Sequence, residues 1–231
     1  MNTRRRFYKI AAATPGNGVA LDGRPLRTPL KQPLILPTPE LAEAIAAEWQ
    51  EQGEKIEPET MYLAKLANTA IDRVPNHRAA IEQELVDYAG SDLVCYRAEA
   101  PVDLMERQAV HWDWVLKWVL KELGADFATT HGVVFRQQTD ETLEAYRNCI
   151  SAMDPFKTTS LHTLTTLTGS ALTSLMLIEQ AIGPDAAWAA VHVDEDYQIE
   201  HWGWDHEAKH RCDRRHTEFL AAIRFAELSG L

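Results

Sequence analysis

Apolar positions along this chain keep two different periods. Up to residue 37 they come in short groups broken by glycine and proline. Phe7-Tyr8-Lys9-Ile10 is followed by the turn cluster Pro15-Gly16-Asn17-Gly18, by Val19 to Leu21, by the hairpin signal Asp22-Gly23, and by Leu26 to Thr28 and Leu34-Ile35-Leu36. Groups of this length between turn residues predict a small antiparallel meander. A unit that small buries little core alone and must lean on other parts of the chain.

From residue 38 the period is helical. Thr38 reads as an N-cap with Pro39 at the first helical position, and Leu41, Ile45 and Trp49 follow on one stripe, which makes Trp49 a structural residue. A second helix carries Leu63, Leu66, Ala67, Ala70 and Ile71 and stops before Pro75. A third, from near Asn76, presents Ile81, Leu85 and Tyr88. After Pro101, residues 103–123 hold Trp112, Val115, Leu116, Val119 and Leu123. Further helices are expected at about 140–152, 158–181, 185–201 and 205–228. The β-branched and aromatic stretch Phe127 to Phe135 predicts a strand, at about 127–136, returning to the meander. The fold class is therefore α+β: a small N-terminal antiparallel β unit over 1–37, followed by a larger all-helical domain over 38–231.

Charge narrows the partners. The 231 residues carry a net charge of −11, a sign that repels phosphate backbones and anionic lipid, so neither nucleic acid nor a membrane surface is an expected partner. The uncharged run Thr158 to Ile178 is long enough to cross a bilayer, but roughly half of it is Ser, Thr or His. It reads as helix buried in protein, without membrane insertion. The opening MNTRRRFYKI is basic and lacks the apolar stretch of a signal peptide. Three dispersed cysteines, Cys95, Cys149 and Cys212, fit a reducing compartment. The expected location is the bacterial cytoplasm, or the mitochondrial matrix if the source is eukaryotic.

One segment has the form of an enzyme motif. His206-Glu207-Ala208-Lys209-His210, followed by Asp213 and His216, matches H-E-x-x-H and nearly the longer zinc-protease form. A zinc-dependent hydrolase using His206, Glu207 and His210 is thus the alternative to a protein without catalysis. Against it, Asp213 stands where the longer motif needs a glycine to turn the backbone. The helix then continues, leaving His216 about 15 Å along the axis from His206. A solvated helix start, acids first and bases later, accounts for the same residues. The chain holds no G-x-S-x-G, phosphate-binding or dinucleotide motif, so no catalytic residue, metal or cofactor is expected.

The stretch 185–201 carries a more specific pattern. Trp188, Glu195 and Trp202 are spaced by sevens and nearly align on one helical face, with Val191 and Gln198 beside them. A glutamate on such a stripe is costly without a partner. The partner is either a cation elsewhere in this chain or a group on another protein, and periodicity leaves both open.

Several motifs, in order along the chain, resemble one family. They are Arg6-Phe7-Tyr8-Lys9, Leu21-Asp22-Gly23-Arg24-Pro25-Leu26-Arg27-Thr28-Pro29, Glu48-Trp49, Leu66-Ala67-Asn68-Thr69-Ala70-Ile71-Asp72, Ser91-Asp92-Leu93-Val94-Cys95-Tyr96-Arg97, Asp194-Glu195-Asp196-Tyr197-Gln198 and Trp202-Gly203. Together they are similar to ATP synthase assembly factor 2, the chaperone family that serves the F-type ATP synthase catalytic head. The resemblance implies a β-rich N-terminal unit, a helical domain, and binding of the unassembled alpha subunit, which is kept from aggregating until the beta subunit replaces the chaperone. It implies no catalytic site, and an important acidic residue in the last-but-one helix, which Glu195 matches. Asp194, Glu195, Gln198, Trp188 and Trp202 form the expected partner-binding set. Asp22, Gly23, Asn68 and Asp72 are expected to be structural. Tyr62 and Trp114 depart from the family, standing where relatives often carry proline.

Overall fold

The computed structural model describes residues 4–230; the first three residues of the basic opening, and Leu231, lie outside the described residues. Strands β1 (Arg4–Arg5), β2 (Ala11–Thr14), β3 (Gly18–Leu21) and β4 (Arg24–Pro25) precede helix α1 (Pro39–Gln50), which is followed by β5 (Lys55–Ile56). β2, β3 and β4 form an antiparallel meander, and β1 pairs antiparallel with β5. Asp22 and Gly23 turn β3 into β4 with φ of 48° and 77°. A two-residue hairpin needs this left-handed backbone, which Gly adopts without strain and Asp tolerates. The Asp22 carboxylate then accepts the N–H groups of Lys9 and Ile10 at 3.0 and 2.9 Å. Those bonds hold its pKa below the usual carboxylate range.

Thr38 caps α1, its hydroxyl oxygen accepting the Leu41 N–H at 3.1 Å. The stripe Leu41, Ala42, Ile45 and Ala46 is buried with Val19 and Leu21 of β3 and with Leu34 and Leu36. Helix α2 (Tyr62–Asp72) adds Leu63, Ala64, Ala67 and Ala70 to this core. No side chain of its own caps α2. Glu48 of α1 does so instead, accepting the N–H groups of Leu63 and Ala64, both at 2.8 Å. At the other end Asp72 accepts the Thr28 hydroxyl at 2.6 Å and the Leu30 N–H at 3.0 Å, tying the loop after β4 to the helix. Asn68 is half-buried on α2. Trp49 is half-buried too, edge-on to the Tyr8 ring at 5.7 Å, with its carbonyl accepting the Tyr8 hydroxyl at 2.5 Å.

The chain forms two compact units. One takes in the residues up to Arg78, Asp154–Ser160 and those from Leu220; the other is Ala79–Met153 with Leu161–Phe219. The expected boundary after residue 37 does not coincide with the division between these units. Residue 38 marks a change of period, and the strands bury their inner face in one core with α1, α2 and Phe225.

The remaining elements are α3 (Val74–Gly90), β6 (Tyr96–Arg97), α4 (Val102–Leu123), β7 (Thr130–His131), α5 (Asp140–Ser151), α6 (Pro155–Thr168), α7 (Ala171–Ile178), α8 (Pro184–Val191), α9 (Val193–Trp202) and α10 (His206–Leu228). In the second unit α4 buries Trp112, Val115 and Val119 and packs against α7, α8 and α9. The Trp112 indole donates to the Ala190 carbonyl at 2.6 Å. Every side chain of α7 is buried, and among the described residues no helix is long and apolar enough to cross a membrane. The fold is α+β, a small antiparallel sheet followed by helices.

Three elements differ from their expected form. The stretch 127–136 contributes only β7, which pairs in parallel with β6 and not with the meander. Gly132, at φ 68°, turns the chain away, and Val133, Val134 and Phe135 end in solvent. The helix expected over 158–181 is two, since Gly169 adopts φ 71° and Ser170 starts α7 by accepting the Thr173 N–H at 3.1 Å. The helix expected over 185–201 breaks at His192, whose φ and ψ are −111° and 9°.

Candidate functional site

Helix α9 has two faces that its spacing explains. Asp194, Tyr197 and Glu200 recur every three residues and turn toward α4. Asp194 accepts the Gln108 amide at 2.7 Å, Tyr197 donates to the Asp103 carboxylate at 3.0 Å, and Glu200 takes both terminal nitrogens of Arg107 at 2.9 and 2.5 Å. Glu195, Gln198 and Trp202, at spacings of three and four, fall on another face and are exposed. They line a groove of about 320 Å³ with Trp204, Arg211, Cys212 and Arg215. Trp202 is 77% exposed and Trp204 48%.

Glu195 is held loosely. Its Oε1 lies 3.4 Å from Arg215 Nη1, and its Oε2 lies 3.5 Å from His192 Nε2, with about half of its side chain open to solvent. Both distances exceed those of a strong charge-assisted bond. Arg215 is the better anchored partner, since its other terminal nitrogen donates to the Leu167 carbonyl at 2.7 Å. Of the two readings left open by periodicity, the intrachain pair exists, and the carboxylate is exposed as well.

The break at His192 removes the continuous stripe expected of Trp188, Glu195 and Trp202. Trp188 lies on α8, half-buried, packed against His192 at 3.8 Å, His216 at 4.5 Å and Phe219 at 5.0 Å between ring centres. It forms support behind the site and is not among the residues lining the groove. Asp194 is likewise taken up by the fold. Sequence reasoning missed Arg215, Trp204 and His192. Trp204 was within reach, as an aromatic just past the helix-ending Gly203. Arg215 and His192 gave no local signal, because their roles arise from contacts between helices.

The enzyme-like segment shows a different arrangement. His206 and His210 are exposed on the first turns of α10, Glu207 pairs with Arg211 at 3.0 Å and Lys209 with Asp213 at 3.5 Å, and the helix runs on unbroken. His216 is turned against Trp188. Among the described residues no three His, Cys, Asp or Glu side chains converge to hold a metal ion.

Comparison with known proteins gives the class first. A family model described as ATP12 chaperone protein matches residues 5–120. Over 215 residues the chain is 26% identical to the mitochondrial protein atp12 of Schizosaccharomyces pombe, covering 86% of this chain and 74% of that one. The structure superposes on the crystal structure of Atp12 from Paracoccus denitrificans with a TM-score of 0.91 and 42% identity, over 97% of this chain and 98% of the other. A solved protein of Agrobacterium tumefaciens gives a TM-score of 0.91 at 39% identity, over 97% and 86% of the two chains. The protein is a chaperone and not an enzyme. More narrowly, it belongs to the ATP12 chaperone family, the ATP synthase assembly factor 2 family that its motifs resemble.

Proposed function

We propose that this chaperone captures the unassembled alpha subunit of the F-type ATP synthase catalytic head and docks it at the groove beside Glu195. A free subunit exposes apolar surface that the finished ring buries, and such surface aggregates unless covered. The observation that carries the reading is the face of α9 bearing Glu195, Gln198 and Trp202, an exposed carboxylate beside two exposed tryptophans. Tryptophan supplies much of the affinity at protein interfaces, and charge supplies selectivity and encounter rate. The long contacts of Glu195 to Arg215 and His192 can be exchanged for a basic or N–H group of the client. Trp188 supports this surface from behind. A net charge of −11 argues against nucleic acid as the partner. The place of action is the bacterial cytoplasm or the mitochondrial matrix.

Affinity capture of the alpha subunit by purified chaperone tests the proposal. Glu195→Gln should keep the fold and lower capture by about tenfold or more, and Trp202→Ala should do the same. Capture by Glu195→Gln equal to wild type would remove Glu195 from the interface. Absence of the alpha subunit from the wild-type capture would remove the client.

A further inference from the structure

The break between α8 and α9 holds a side chain whose arrangement bears directly on Glu195. His192 is 2% exposed, with its ring stacked on Trp188 at 3.8 Å. Its Nδ1 lies 2.9 Å from the Trp188 carbonyl oxygen. A carbonyl only accepts, so Nδ1 carries the proton, and Nε2 of the neutral ring is a bare lone pair. That Nε2 is buried without a hydrogen-bond partner and faces Oε2 of Glu195 at 3.5 Å. Two acceptors therefore face each other. A proton added at Nε2 turns the same contact into a charge-assisted hydrogen bond.

We propose that His192 is a positioning residue for Glu195: the neutral ring leaves the carboxylate free to meet a partner's cation in the groove, and the protonated ring holds it against the break between α8 and α9. The inference rests on the docking role given to Glu195 above. The charged groups acting on the imidazole are Glu195 and Asp196 of α9 and Arg215 of α10, while α8 presents the ring and carbonyl of Trp188. Burial lowers the His192 pKa, with the Trp188 hydrogen bond and the two carboxylates opposing it and Arg215 assisting. The ring is accordingly neutral at neutral pH and gains its proton below the ordinary histidine range. Client capture then weakens on acidification.

Two variants separate the ring's states. His192→Asn keeps a donor for the Trp188 carbonyl and removes Nε2; His192→Gln directs a permanent amide donor toward Glu195. Wild-type capture of the alpha subunit should fall at least about threefold between about pH 7.5 and about pH 5. His192→Asn should be flat over that range, and His192→Gln weak throughout. Independently of any client, NMR titration of the His192 imidazole should show its pKa falling further in Glu195→Gln. An unchanged His192 titration in Glu195→Gln overturns the inference, as does a wild-type pH profile in His192→Asn. If the titrations are coupled but capture ignores Glu195 altogether, the His192 contact stands and the docking role falls.

Discussion

Asp92 and Leu172, eighty residues apart, meet through a 2.9 Å hydrogen bond from the Leu172 N–H to the Asp92 carboxylate. The same carboxylate accepts the Ser170 hydroxyl at 2.8 Å and the Val94 N–H at 3.1 Å. It thus caps the buried start of α7 and the short 3-10 turn Leu93–Cys95 at once. Burial pushes the Asp92 pKa up to about 6, against the pull of these hydrogen bonds.

That shift sets a sign. A carboxylate whose folded pKa lies above its unfolded 3.8 binds more protons when folded, so its contribution to stability is fully present below 3.8 and is lost as pH rises through about 6. The shift corresponds to about 3 kcal/mol. Asp92→Asn removes the titration, so stability measured by denaturant melts should fall less between about pH 4 and about pH 6.5 than in wild type. Asp92→Ala leaves the buried Leu172 and Val94 N–H groups without this acceptor and should cost at least about 2 kcal/mol.

Glu48 caps α2 from a neighbouring helix, so its loss should act on α2 and not on α1. Glu48→Ala leaves the Leu63 and Ala64 N–H groups without a side-chain acceptor, at a cost of about 2–4 kcal/mol. Amide exchange should speed up first over Tyr62–Lys65. Unaltered exchange in that turn would show that the cap is dispensable.

Trp49 is half-buried, and its indole nitrogen is buried without a partner. Complete burial of tryptophan would make truncation cost about 3–5 kcal/mol; half-burial places Trp49→Ala nearer about 2 kcal/mol. Trp49→Phe keeps an aromatic edge for Tyr8 and deletes the unpartnered N–H, so it should lie within about 1 kcal/mol of wild type. Chemical denaturation of both variants measures the difference.

Neighbouring acids on α9 should give opposite results. Asp194→Ala breaks the bond to Gln108 and should lower the melting temperature while leaving capture by the folded protein intact. Glu195→Gln should leave the melting temperature in place and weaken capture. A thermal melt and a pull-down on both variants check the contrast.

The protein should purify without stoichiometric zinc, as measured by elemental analysis. His206→Ala and His210→Ala should leave melting temperature and client capture unchanged, since both side chains are exposed on the first turns of α10. Nanomolar zinc lost in either variant would restore the hydrolase reading.

Sequence alone determined what local rules decide. Asp22-Gly23 specifies a hairpin because few residue pairs accept two left-handed positions in succession. Thr38-Pro39 specifies a helix start, and Asp213 in place of glycine keeps α10 running past the zinc-like motif. The order of short motifs was enough to carry the family resemblance and the α+β class. Tertiary structure decided what depends on groups distant in sequence. Glu48 reads as one more helical acid until α2 arrives without its own cap. Asp194 and Glu195 are adjacent acids on paper, and only the position of Gln108 on α4 assigns one to the fold and leaves the other in the groove. The break at His192 was invisible because no Gly or Pro marks it, so Trp188 and Trp202 kept an apparent common face that a continuous helix would have given them. Local propensity chooses the element; packing between elements chooses which side chains remain free to act.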